Sequence, residues 1–251
     1  MEFPSVPIED VPVVTTQQMI EVDRLMIETY RIELVQMMEN AGRGLARLAV
    51  HRFLDDNPEG RSVTVLAGRG GNGGNGGGAI VAARRLHMWG ASVRLFVSAA
   101  AGDFSGVPQH QLDIVSRIGI PVFEDELPDE DCDLIIDGLI GYSLRGNPRN
   151  RAAELIEWAN LHQSPILSLD IPSGIDGETG EARRPFVQAT ATLTLALPKA
   201  GLIESDGSSR VGELYLADIS VPAELYEQLG LKLPYPLFKS SDLIRIHPAA
   251  K

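Results

Sequence analysis

The sequence predicts an α/β protein built on a mostly parallel, doubly wound sheet. Two observations carry this. Short runs of strand character alternate with helical runs, and several of the strand runs are apolar without interruption, as in strands covered on both faces. The run Ser62–Ala67 also passes through a glycine-rich segment directly into a helical run, the order of an α/β unit.

Taken in order, Thr15-Thr16-Gln17-Gln18 is a capping-box start, with Met19, Val22 and Met26 following at helical spacing. A second helix carries Leu34, Met38, Ala41, Leu45 and Leu48 as an amphipathic stripe. The methionines in these helices read as core. The strand Ser62–Ala67, the glycine segment and a helix from Ile80 to Trp89 come next, and Gly90 stops the helix. A strand at Ser92–Val97, a helix at Gln109–Ile118 and a short strand at Gly119–Phe123 follow. Asp133–Asp137 is a buried strand, Asn150–Leu161 a helix and Pro165–Asp170 a second buried strand. Thr190–Leu197 and Glu213–Leu216 alternate like strands. The expected architecture is a Rossmann-like three-layer αβα sandwich in one unit over residues 1–251. N-terminal helices occupy 15–54, the core 61–220 and a C-terminal tail 221–251.

Composition narrows the function. The net charge of −12 opposes nonspecific nucleic-acid binding, which relies on Lys and Arg neutralising phosphates. An anionic ligand must then be held by local dipoles. The single cysteine, Cys132, rules out an internal disulfide framework and a cysteine zinc cluster, and it reads as core filler. The N-terminus lacks the basic and apolar regions of a signal peptide, and no apolar run is long enough to span a membrane. A cytoplasmic location is expected.

The segment Gly68-Arg69-Gly70-Gly71-Asn72-Gly73-Gly74-Asn75-Gly76-Gly77-Gly78-Ala79 is the most informative stretch. Strand, glycine segment and helix together form a phosphate cradle: N–H groups at a helix N-terminus are unsatisfied and the dipole there favours negative charge. It is neither common nucleotide fingerprint. No lysine lies between residues 61 and 100, which excludes a Walker loop. No carboxylate follows the strand Ser92–Val97 until Asp103, which weakens a dinucleotide fingerprint. Asparagine amides within the segment offer oxygens to a ligand or cation. The whole of Gly70–Gly78 is expected to be a loop that orders on phosphate binding. A bulky residue at Gly76 should weaken binding without unfolding the protein.

Two aspartates, Asp137 and Asp170, end buried strands. Ligands of parallel sheets bind outside the C-terminal strand ends, the edge from which the glycine segment also leaves. A strand-end aspartate can also simply cap the next turn.

Five segments occur in one order: Gln36-Met37-Met38-Glu39-Asn40-Ala41-Gly42, the glycine segment, Asp137 to Gly146, Leu169 to Asp176, and Leu197-Pro198-Lys199-Ala200-Gly201-Leu202. Together they resemble the YjeF N-terminal domain family, the NAD(P)H-hydrate epimerases, over residues 13–245. The resemblance implies interconversion of the R and S epimers of NADHX and NADPHX, nicotinamide dinucleotides hydrated at C6 of the reduced ring. Epimerisation lets a stereospecific dehydratase repair the whole pool. The dinucleotide is then substrate, not a bound redox cofactor. The chain corresponds to a free-standing epimerase half, coupled to a separate NAD(P)HX dehydratase, and a homodimer is expected.

By the same resemblance, one potassium ion per subunit is held by Asp137, Ser173 and the second asparagine of the glycine segment. Substrate contacts fall on Gly71, Asn72, Gly73, Gly74 and Asn75, on Gly141, Tyr142, Ser143, Leu144, Arg145, Gly146 and Asn147, and on Asp170. The segment departs from the family pattern Gly-x-Gly-Asn-Asn-Gly-Gly-Asp-Gly in being longer and lacking the aspartate. Aligned from the strand, Asn72 is the second asparagine and Asn75 stands for the aspartate. Aligned from the helix, Asn75 is the second asparagine and Gly78 stands for the aspartate.

Inverting a carbinolamine carbon needs a group that gives and takes a proton within about 3 Å of the hydroxyl. Asp170 is the candidate by position, with hydrogen bonding to a ribose or ring hydroxyl as its alternative role. Asp170→Asn is expected to abolish activity with little change in melting temperature. Lys199, in a Pro-Lys-Ala-Gly turn, either reaches a phosphate or is a solvated turn lysine. The second functional reading is a non-catalytic nucleotide-binding or dimerisation module of the same fold.

Overall fold

The alternating pattern resolves into one nine-stranded sheet in a computed structural model, which describes residues 3–70, 75–129, 131–203, 209–233 and 235–248. The strands are β1 (Ser5–Pro7), β2 (Ser62–Ala67), β3 (Ser92–Val97), β4 (Val122–Phe123), β5 (Leu134–Gly138), β6 (Ile166–Leu169), β7 (Ala191–Leu195), β8 (Glu213–Ala217) and β9 (Leu243–His247). The helices are α1 (Thr16–Glu28), α2 (Leu34–Phe53), α3 (Asn75–Met88), α4 (Gly106–Arg117), α5 (Asn150–Leu161), α6 (Ala200–Ile203) and α7 (Ala223–Gln228).

The sheet order is β1-β9-β8-β7-β6-β5-β2-β3-β4. Every neighbouring pair is parallel except β8 with β9. The expected doubly wound, mostly parallel sheet is therefore present. From β2 the chain adds β3 and β4 on one side, then returns to place β5 on the other. That reversal opens a crevice at the C-terminal ends of β2 and β5, where open α/β sheets bind ligands.

Successive strand residues serve opposite faces. Val63 and Val65 pack with α2, α3 and α4, while Leu66 packs with Leu155 and Ile156 of α5. A third apolar cluster joins α1 and α7 to the β8–β9 end of the sheet. Helices thus cover both faces of the sheet, the expected three layers.

Two corrections bear on the site. Helix α3 begins at Asn75, not Ile80, so the second half of the glycine segment is its first turn. Glycine is a poor helix former, but close approach requires it here. A Cβ on Gly76 would lie 1.7 Å from the Gly68 carbonyl oxygen, one on Gly77 2.3 Å from Met38 Sδ, and one on Gly78 2.7 Å from Leu169 Cδ2. Gly70 lies before the helix with φ +68°; residues 71–74 lie outside the described residues. The second correction is at the ends of the chain. The expected tail carries β9, inserted between β8 and the short edge strand β1, and neither strand was expected from the sequence. Cys132, read as core filler, is half-buried just before β5.

Candidate functional site

Strands β2, β5, β6 and β7 end side by side, and each delivers a feature of the rim: the glycine segment, Asp137, Asp170, and the turn to Lys199. At β5, Asp137 is completely buried. Its carboxylate accepts from Ser168 Oγ at 2.8 Å, Ser173 N at 2.9 Å, Ser173 Oγ at 2.6 Å and Leu139 N at 3.2 Å. Burial raises its pKa above the usual carboxylate value, and the Ser173 and Ser168 hydrogen bonds only partly oppose this. Ser173 Oγ also accepts from Ile140 N at 2.9 Å, tying the segment after β6 to the segment after β5.

Asn75 opens α3 on the same rim. Its side-chain amide donates to the Leu169 carbonyl at 2.6 Å and approaches the Ile140 carbonyl at 3.5 Å. A Cβ on Gly141 would lie 2.8 Å from Asn75 Oδ1. Glycine at 141 thus leaves room for the oxygen. Asn75 therefore joins the rim through the ends of both β5 and β6. Asn72 lies outside the described residues, as do Gly71, Gly73 and Gly74.

Asp170 follows β6 with φ +67°, and Ala196 follows β7 with φ +64°. Left-handed backbone at a non-glycine residue costs about 1–3 kcal/mol, and aspartate is among the residues that tolerate it best. The geometry turns the Asp170 carboxylate toward β7. Its Oδ1 accepts from Leu195 N at 3.3 Å, Thr194 Oγ1 at 3.4 Å and the ammonium of Lys199. Lys199 Nζ donates further to the Leu195 carbonyl at 2.9 Å. Lys199 is 1% exposed, so the solvated-turn reading does not hold. Its buried ammonium is matched by Asp170, as buried charges must be. Among the described residues, every hydrogen bond to this carboxylate ends on Oδ1.

A cavity of about 50 Å3 opens onto these groups, walled by Asp23 of α1, Met37 and Met38 of α2, Asn75 of α3, and Tyr142, Asp170 and Lys199. The methionines are both core and cavity wall. A capping box at Thr15 sets the start of helix α1. Val14 forms a parallel bridge with Lys199 just before it. This brings Asp23 close enough to hydrogen-bond the Tyr142 hydroxyl. Burial raises the pKa of Asp23, against the Tyr142 hydrogen bond and the charge of Lys199. Burial and the Asp23 charge push the Tyr142 phenol well above its ordinary value. Of the 141–147 segment, Tyr142 turns to this wall, whereas Ser143, Arg145, Gly146 and Asn147 are exposed and Gly141 and Leu144 partly so. A larger cavity, about 930 Å3, lies between α2, Trp89 and the segments at Phe3 and Asp242. It contains none of these rim groups.

Sequence reading missed Lys199 as the partner of Asp170, and it missed Asp23. The one available hint for Lys199 was scarcity: it is one of four lysines in the chain. Asp23 on an amphipathic helix carried no hint, because only the fold brings it to Tyr142.

Residues 34–201 match the model of the YjeF-related protein N-terminus family. An NAD(P)H-hydrate epimerase of Dehalogenimonas lykanthroporepellens is 38% identical over 93% of this chain and 92% of its own. One from Rhodopirellula baltica is 34% identical over 90% of this chain and 91% of its own. The bifunctional NAD(P)H-hydrate repair enzyme Nnr of Moorella thermoacetica is 33% identical, and the match takes up 84% of this chain but 41% of that longer protein. The crystal structure of the yeast protein ynu0, YNL200c, superposes with a TM-score of 0.77 at 23% identity, over 94% of this chain and all of that one, which shows the shared fold. The rim of strand-end aspartates, glycine-lined helix start and buried lysine is thus carried by a chain that belongs to the YjeF N-terminal family.

Proposed function

We propose that this protein is an NAD(P)H-hydrate epimerase that interconverts the R and S forms of NADHX and NADPHX at this rim, with Asp170 as its proton-transfer residue. The observation that carries the reading is the buried Asp170–Lys199 pair, which opens into a cavity beside the N-terminus of α3. The relatives that share nearly the whole chain are named for this activity. The reacting end of the dinucleotide would enter at this cavity. The rest would lie along the rim, with phosphates against the N–H groups at the start of α3, and with Gly141–Asn147 covering it.

Asp170 would exchange a proton with the C6 hydroxyl through Oδ2. Lys199 keeps Oδ1 occupied and the carboxylate oriented. The methionine wall of α2 keeps water out. A carboxylate in this position suits general acid–base catalysis better than ribose binding, because it lines one cavity with a second ionisable pair, Asp23 and Tyr142.

Asp137, Ser173 and Asn75 would hold a potassium ion. The residues fit such an ion: one buried carboxylate has only neutral hydrogen-bond donors around it, and a monovalent cation with neutral oxygen ligands matches that single charge. When bound, the ion supplies positive charge beside the phosphate-binding helix start. Asn75 is favoured over Asn72 because it bridges β5 and β6 at this point. The same reading includes a cytoplasmic homodimer. It serves a separate NAD(P)HX dehydratase. Among the described residues, no helix is long and apolar enough to cross a membrane.

A coupled reaction tests the reading. A stereospecific dehydratase given mixed NADHX epimers stops when its own epimer is consumed. Adding this protein should carry the reaction to completion. A plateau unchanged by the protein would contradict the proposal.

A further inference from the structure

The epimerisation is symmetrical in its demands. The C6–O bond breaks as the hydroxyl oxygen receives a proton; water leaves, and the ring nitrogen's lone pair forms a cationic C6=N bond. Water then adds to the other face of C6 and gives up a proton as the new C–O bond forms. One proton enters, one leaves, and nothing is oxidised or reduced. The reverse reaction uses the same groups with their roles exchanged, so each face of the ring needs a group that both gives and takes a proton.

Asp170 with Lys199 supplies one such group from the β6 and β7 ends. The second lines the same cavity. Tyr142, from the segment after β5, donates its hydroxyl to Asp23 of α1. Both residues line the cavity together with Asp170 and Lys199. We propose that Tyr142 and Asp23 form the second proton-handling group of the reaction, serving the ring face that Asp170 does not. As water adds on that side, its proton passes to Tyr142 Oη while the phenol's own proton moves to the Asp23 carboxylate. In the reverse direction the two transfers run backwards.

The surroundings suit a pair that changes protonation. Asp23 faces Lys199, which favours its charge, and Asp170, which opposes it. Tyr226 of α7 also feels the Asp23 charge. On α1 itself, Arg24 is engaged by Glu21 and Glu28 at the surface. A structural hydrogen bond between a loop and a helix has no need of a second carboxylate lining the same cavity.

The inference rests on the epimerase reading, and one set of measurements separates the two. Tyr142→Phe and Asp23→Asn each remove one proton-carrying group with little change in shape. Interconversion of separated NADHX epimers is followed across pH, alongside the Kd for NADP+ and the melting temperature. We expect kcat to fall about 100-fold or more in each variant, one limb of its pH profile to disappear, the Kd to be retained, and Asp23→Glu to restore part of the rate. If either variant keeps wild-type kcat and pH profile, or loses only affinity or melting temperature, the pair is structural and the inference fails. Should one variant not fold, the other decides on the same criteria. An inactive wild type instead overturns the epimerase reading, and this inference with it.

Discussion

Lys199 and Asp170 form an ion pair with 1% and 3% of their side chains exposed. Each charge is tolerable in that position because of the other. Removing one partner of a buried pair typically costs about 3–5 kcal/mol.

Asp170→Asn is therefore expected to do two things. Loss of the proton-transfer group should lower kcat by about 10²–10⁴. Leaving the Lys199 ammonium without its carboxylate should also lower the melting temperature, by about 6–20 °C for a chain of this size. The sequence alone suggested a nearly unchanged melting temperature, because it gave no sign that Lys199 was buried. Adding Lys199→Met to Asp170→Asn should recover much of the stability and none of the activity. Thermal melts and initial rates on the three variants check this. A single Asp170→Asn variant that melts like wild type would show that the pair is not energetically coupled.

Acid should weaken the β8 end of the fold through Glu213. Arg52 grips its carboxylate with two hydrogen bonds of 2.9 Å, and Tyr215 adds a third at 2.7 Å. The Arg52 hydrogen bonds, with help from Tyr215 and Arg245, hold its pKa down at about 2 against an ordinary 4.5. A carboxyl whose folded pKa is lowered stabilises the protein fully above its unfolded value and loses that contribution as pH falls through the folded one. The loss should thus run from pH 4.5 down to 2. Glu213→Gln should flatten the dependence of stability on pH in that window. Denaturant melts of both proteins at pH 6 and pH 3 measure it; equal losses on acidification would remove Glu213 as a cause.

Potassium should raise the melting temperature relative to a bulky organic cation at equal ionic strength, because an ion bound only to the folded state stabilises it by mass action. Asp137→Asn should erase the difference between the two salts. Identical melts of the wild type in both salts would remove the ion from the account.

Gly76→Val should disrupt folding, not merely binding. The sequence presented Gly76 as part of a pliant loop, but its Cβ position falls 1.7 Å from a backbone oxygen of Gly68, and no side-chain rotation relieves that clash. Overpacking costs about 1–3 kcal/mol even where neighbours can shift, and here the neighbour is backbone. A Gly76→Val protein that melts like wild type would restore the loop reading.

These cases show which features the sequence could reveal. Periodicity and apolar runs located β2, β3, β5 and α5 because those signals are local: Asn150–Leu161 is helical over the expected span, and Ser62–Ala67 and Ser92–Val97 are strands at the expected residues. The strand-end aspartates were visible for the same reason. Glycine misled at residues 76–78, since backbone freedom and a need for close packing leave the same residue in the sequence. Strands β1 and β9 escaped because one is three residues long and both owe their pairing to distant partners. The Asp170–Lys199 and Asp23–Tyr142 contacts join residues 29 and 119 positions apart, and only the folded sheet creates them.

The most direct measurement follows separated R and S NADHX to equilibrium with wild-type protein and with Asp170→Asn, by chromatography. Wild type should equilibrate either epimer far faster than buffer alone, and the variant should do so about 10²–10⁴ times more slowly than wild type. Equilibration by wild type at the buffer rate, or an Asp170→Asn variant with more than half of the wild-type rate, would contradict the placement of epimerisation at this rim.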